Sequence, residues 1–214
     1  PQIPGIYWDY IYTGPTPTTF QENPKFAALV SEGKLPPVEQ RLPDEFKVSQ
    51  PPDGIGDYGG TYRNTGTWWL FPYVNASLLY KNNADEVTKI PHVMFWEISD
   101  DGRVFTMRLR KGLKWSDGKT LDMEDVRFAW EDVNFNTTLT ARLAPDWYDP
   151  VTGNPVKFAI VDDLHWTLTF ETPSFNLMED ETPGQEVCKG FCWWGATHYL
   201  KPYHEDYASG ADIT

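Results

Sequence analysis

The sequence predicts a mixed α/β fold, and three runs of residues carry that prediction. VMFWEIS and VFTMRLR flank a turn at Asp100-Asp101-Gly102, with Phe105, Met107 and Leu109 alternating against Thr106, Arg108 and Arg110. That period of two marks a β-hairpin with one buried face. A second hairpin is expected in VKFAIVDDLHWTLTF, where Phe158, Ile160, Trp166, Leu168 and Phe170 flank a turn at Asp162-Asp163. Between the hairpins, Val126, Ala129, Trp130 and Val133 recur at helical spacing and predict one buried helix face.

The remaining elements follow in chain order. Residues 1–57 hold most of the prolines, in runs such as GPTPTTF, GKLPPVEQRLPDEF and SQPPDGIG. Proline has no backbone donor for a helix or a sheet ladder, so this region reads as an extended arm wrapped on the body, with one short helix near Pro24 to Glu32. The pattern changes at Tyr58-Gly59-Gly60, where TYRNTGTWWLF opens a β-favouring run after a glycine turn. The folded body is therefore expected to span 58–214. Past the first hairpin, Lys111-Gly112 and Ser116-Asp117-Gly118 are turn signals, with Leu113 and Trp115 free to bury. Asp122 is then a suitable helix N-cap, and Glu124 and Asp125 place negative charge at the positive end of the helix dipole.

Composition narrows the function classes. With 18 basic and 31 acidic residues among 214, the net charge of -13 repels nucleic acid and anionic membrane surfaces. There is no run of about 18 apolar residues and no signal-peptide pattern at PQIPGIYWDY, so the chain is expected to be soluble or to have lost a targeting segment. Ten Trp, 11 Tyr and 12 Phe supply aromatic surface that fills cores and also stacks on sugars and peptides.

The stretch Leu109 to Trp130 concentrates acids and tryptophans, and a glycosidase acid and base is its sharpest catalytic reading. Its spacing fits helix capping instead. No G-x-S-x-G elbow, H-E-x-x-H helix or glycine-rich phosphate loop is present, which argues against an enzyme. Cys188 and Cys192 leave three readings open: a small disulfide, two free thiols, or a zinc site completed by His198 and His204. Trp193 and Trp194 beside them are expected to pack. Asn75 and Asn136 fall in glycosylation sequons and carry little weight.

The succession Trp96 to Val133 resembles the hallmark region of the family 5 extracellular solute-binding proteins, the receptors of peptide-type ABC importers. Trp96, Glu97, Ser99, Asp101 and Gly102 match its first hairpin; Leu109, Arg110, Gly112, Trp115, Asp117 and Gly118 match its turn segment; Asp125 and Val126 match its helix start. LPPVEQRLPDEF, IGDYGGTYR and HYLKPYHEDYA extend the likeness in family order. Asp122 stands where the family usually has a threonine cap, and His198 and His204 fall on family positions, which weakens them as independent signs of zinc.

The resemblance implies the first lobe of a two-lobed periplasmic-binding-protein-like fold with a mixed sheet, the second lobe lying outside this chain. It implies a receptor without cofactor or metal that binds an oligopeptide or oligosaccharide, delivers it to ABC permease subunits, and works outside the cytoplasm as a monomer tethered to the membrane, as a lipoprotein. The rival class is a carbohydrate-active enzyme or carbohydrate-binding module. Family position points to Asn64, Thr65, Gly66, Trp68, Trp69, Tyr73 and Asn75 as one wall of the ligand cleft. Gly66 permits close backbone approach, Asn64 and Thr65 offer polar contacts, and at most one of the adjacent Trp68 and Trp69 can face the cleft, the alternative being that both pack, one in the core and one beneath the arm.

Overall fold

A computed structural model describes residues 17–45, 94–140, 145–174 and 193–208, with residues 15, 48, 57–59, 61, 79–81, 89–91 and 143 in short pieces. The expected strand run after Gly60, the seven cleft-wall residues and both cysteines lie outside the described residues.

The expected short helix is α1, Pro24–Ser31, started by Asn23, whose side chain accepts from the Lys25 amide, with proline in the first turn. One further turn, α2, covers Val38–Arg41. A two-stranded antiparallel pair follows, β1 Leu79–Lys81 with β2 Lys89–Pro91.

The main sheet joins both expected hairpins. Strands β3 (Met94–Ile98), β4 (Val104–Leu109), β5 (Lys157–Ile160) and β6 (His165–Thr169) lie in the order β3-β4-β6-β5, every neighbouring pair antiparallel. At the first turn Gly102 adopts φ 69°, and the Asp101 carboxylate accepts from the Ser99 hydroxyl and the Arg103 guanidinium. These bonds hold its pKa at about 2.

Along β4, Phe105, Met107 and Leu109 are buried, and Met107 stands opposite Trp166 while Phe105 stands opposite Leu168. This places the apolar faces of the two hairpins on one side of the sheet. Two residues depart from the alternation. Ile160, at the end of edge strand β5, is exposed, and Arg110, just past β4, is buried with its guanidinium near the Phe95 ring.

Helix α3, Met123–Arg127, begins at Asp122 as expected and runs directly into a π-helix, Phe128–Asn134. The wider turn changes the expected face: Val126, Ala129 and Trp130 are buried, but Val133 is only half-buried, and Phe128 and Asn134 are buried in addition. Trp130 is the hub of the core. Its ring stacks on Phe158 at 5.5 Å and meets Trp147 and Trp193 edge-on at 4.9 and 5.8 Å. Trp193 packs as expected, buried in this cluster, with Trp194 against its margin.

Candidate functional site

The stretch that first suggested catalysis can be followed atom by atom. Trp115 and Lys119 close the second glycine turn through a backbone bond of 2.8 Å, and Gly118 takes φ 87°. The Asp122 carboxylate accepts from the Glu124 amide at 2.9 Å, and Asp125 returns the contact by accepting from the Asp122 amide at 3.4 Å. This reciprocal pairing fixes where α3 begins.

Asp125 does more than cap. It is 1% exposed, yet its carboxylate accepts from Trp115 Nε1 at 2.7 Å, the Thr197 amide at 2.9 Å and the Thr197 hydroxyl at 2.5 Å. Its backbone carbonyl accepts from the Gly195 amide at 2.9 Å. One buried anion thus ties the glycine turn, the start of α3 and α4 (Thr197–Leu200) together, its charge met by four N–H or O–H donors in place of water.

The exposed carboxylates of the same stretch are also committed. Glu124 accepts from Arg127 at 2.8 and 2.9 Å and from Lys201 Nζ at 2.5 Å, and Arg127 followed by Lys201 brings its pKa down to about 2. Asp117 accepts from the Lys119 amide and faces His198 Nε2 at 2.6 Å, and both contacts lower its pKa. A glycosidase general acid needs its carboxyl pKa raised. Each carboxylate of this stretch whose pKa is moved is moved the other way, which removes the motive for the catalytic reading.

The histidines are likewise engaged in packing. Buried His204 places Nε2 2.9 Å from the Asp132 carbonyl and Nδ1 3.2 Å from the Asp206 amide, with the Asp206 carboxylate 3.7 Å from Nδ1. Among the described residues no group of three His, Cys, Asp or Glu is arranged to hold a metal ion. Asn136 of the second sequon caps a turn, accepting from the Thr138 amide at 2.9 Å.

Two polar centres were not singled out from the sequence. Arg127 binds Glu124, Glu131, Asp132 and the Tyr207 hydroxyl, joining α3 to the segment after α4; the Glu124 and Glu131 spacings of three and four residues were its available signal. Asp149 is 2% exposed and gathers the Val151, Thr152 and Thr172 amides and the Thr172 hydroxyl. Burial pushes its pKa up, but the amides of Thr152, Thr172 and Val151 outweigh it and hold the carboxyl far below the usual range. The described residues therefore form a platform braced by Asp125, Arg127 and Asp149.

Comparison with known proteins places this platform. Residues 94–208 match the profile of the bacterial extracellular solute-binding proteins, family 5 (Middle). The chain is 31% identical over 207 residues to the periplasmic alpha-galactoside-binding protein of Rhizobium meliloti (strain 1021), covering 84% of this chain and 29% of that protein. Among solved structures it resembles an oligopeptide-binding protein OppA with TM-score 0.71 and 33% identity, over 92% of this chain and 30% of that one. It also resembles the periplasmic binding protein MelB of Agrobacterium fabrum C58 in complex with stachyose, with TM-score 0.69 and 27% identity, over 98% of this chain and 35% of that one. The chain thus spans about a third of the length of these relatives.

Proposed function

From the premise that this chain belongs to the family 5 bacterial extracellular solute-binding proteins, we propose that it is part of the receptor of an ABC importer. In this reading it carries no chemistry. It supplies one wall of a cleft that holds an oligosaccharide or oligopeptide reversibly outside the cytoplasm and presents it to permease subunits. The observation that carries the proposal is the coincidence of the family match with the braced body: residues 94–208 contain the sheet, the aromatic core and the Asp125 tie.

The wall itself is proposed to be Asn64, Thr65, Gly66, Trp68, Trp69, Tyr73 and Asn75, with lobe closure completing the cleft. A monomeric receptor held at the membrane by a lipid anchor belongs to the same proposal. An uncharged oligosaccharide is the first solute to test. Two of the relatives are described by α-galactosides or stachyose, and a net charge of -13 disfavours anionic solutes. The oligopeptide reading rests on the likeness to OppA.

Thermal-shift screening of stachyose, raffinose and short peptides against a chain of the relatives' length carrying this segment discriminates the two. A rise in Tm with the oligosaccharides alone supports the first reading, and a rise with peptides alone supports the second. Release of free monosaccharide from stachyose would overturn the receptor assignment in favour of an enzyme.

A further inference from the structure

The N-terminal arm touches β4 and the turn after it through residues 40–45. Along residues 17–45 no side chain is fully buried, and the apolar Phe20, Val30, Leu35, Val38, Leu42 and Pro43 are half-buried. Its internal order comes from the Arg41–Glu22 ion pair at 2.5 Å, with the Arg41 guanidinium 5.5 Å from the Phe26 ring centre.

Its hold on the body is concentrated at residues 40–45. The Glu45 carboxylate accepts from Arg108 Nη1 at 2.9 and 3.1 Å and from the Lys111 amide at 3.2 Å. The Glu45 amide in turn donates to the Lys111 carbonyl at 3.1 Å. Lys114 Nζ donates to the Gln40 carbonyl, and Lys111 Nζ lies 3.9 Å from Asp44. The Arg108 guanidinium is itself held 4.0 Å from the Phe95 ring centre. Shape completes the contact. Gly112 has φ 78°, and a Cβ there would stand 2.4 Å from the Asp44 amide nitrogen and 2.8 Å from Asp44 Cγ.

We infer that residues 38–45 form an ionic latch, centred on Glu45, that opens as a local unit at high salt or low pH while the sheet and its aromatic core stay folded. Apolar burial resists salt and acid, whereas partly exposed charge pairs do not. The side-chain contacts between latch and body are of the second kind, and the latch's apolar residues Val38, Leu42 and Pro43 are only half-buried. Opening frees Arg108, Lys111 and Lys114 of their partners on the arm, leaving a group of cations on a strongly acidic chain.

The pH direction follows from the groups facing Glu45. Arg108, Arg110 and Lys111 lie on β4 and the turn after it, and Asp44 lies on the arm itself. Burial pushes the Glu45 pKa up, but Arg108, the Lys111 amide and Arg110 together bring it below 4.5. A lowered folded pKa means that the hold is complete above 4.5 and is lost as pH falls through the folded value.

The test is amide hydrogen exchange, read peptide by peptide on the 214-residue chain, with trypsin cleavage after Arg41 as an independent readout. Glu45→Gln is expected to speed exchange of residues 38–45 roughly tenfold, the size of one charge-assisted bond. Salt near 1 M, where the screening length falls to about 3 Å, should do the same to the unaltered chain. Peptides from β4, β6 and α3 should keep their rates in both cases. Asp101→Asn, which disturbs another exposed ion pair, should leave residues 38–45 unchanged. The inference is overturned if residues 38–45 exchange only together with β4 and β6, or if neither salt nor Glu45→Gln speeds them. Gly112→Ala removes the fit without altering charge and should open the latch at low salt as well.

Discussion

Asp125→Ala should be among the most damaging single substitutions in this chain, and its size can be worked from the bonds it breaks. The carboxylate is 1% exposed and receives Trp115 Nε1, the Thr197 amide and the Thr197 hydroxyl, with the Asp122 amide at longer range. The hydroxyl can rotate toward another acceptor, but the indole and amide hydrogens cannot. Two orphaned donors at about 1–3 kcal/mol each give a loss of roughly 3–5 kcal/mol.

Asp125→Asn separates charge from shape. Its amide group must point either at Trp115 and Asp122 or at Thr197, and only on the Thr197 side can a hydroxyl turn to accept. One donor is then left unpaired, for a loss of about 1–3 kcal/mol. Urea unfolding followed by tryptophan fluorescence measures both variants. With a slope near 2–3 kcal/mol per molar, the alanine midpoint should fall by about 1–2 M at constant slope. An alanine variant within about 0.5 kcal/mol of the parent would refute the view that Asp125 is a structural tie.

Other perturbations separate the two kinds of tryptophan and the two kinds of acid. Trp130 Nε1 has no hydrogen-bond partner among the described residues, so Trp130→Phe loses packing alone, whereas Trp115→Phe also deprives Asp125 of a donor. Adding Asp125→Ala should therefore cost less in a Trp115→Phe background than alone, with no such coupling to Trp130→Phe; double-mutant cycles in urea decide. Glu124, with its pKa brought to about 2 by Arg127 and Lys201, contributes stability above its ordinary 4.5 that is lost as pH falls toward 2. The difference in urea midpoint between the parent and Glu124→Gln should accordingly shrink between about pH 5 and pH 2, and a constant difference would contradict it. Asp149→Ala should lower Tm and speed amide exchange at residues 151, 152 and 172, where the lost acceptor served three amides.

The hairpins were legible because period-two alternation is local. Phe105, Met107, Leu109, Trp166 and Leu168 announce their buried faces without reference to anything distant. The cap at Asp122 was legible for the same reason. The junction of the two hairpins through β4 and β6 was not, because nothing in either run specifies which edge the other will meet. Val133 was misplaced because helical periodicity assumes one winding, and the π-helix from Phe128 changes it.

The role of Asp125 was half visible. Its place in the first turn suggested a dipole contribution, but its partner Thr197 lies 72 residues away and leaves no local trace. Ile160 shows the opposite limit: the hairpin was read correctly, but Ile160 is exposed, because whether an edge strand's last residue is covered depends on its neighbours. For the cleft, family position proposed Asn64 to Asn75, where local pattern could say only that two adjacent tryptophans face opposite ways.

The central claim is that this chain contributes one wall of a binding cleft, and titration calorimetry addresses it most directly. Stachyose and a short peptide are titrated into the 214-residue chain and into a chain of the relatives' length that contains it. The account predicts saturable one-to-one binding of one of these solutes to the longer chain, abolished by Trp68→Ala with Trp69→Ala, and weak or undetectable heat from the 214-residue chain. Tight stoichiometric binding to the 214-residue chain, or binding to the longer chain that survives loss of both tryptophans, would contradict it.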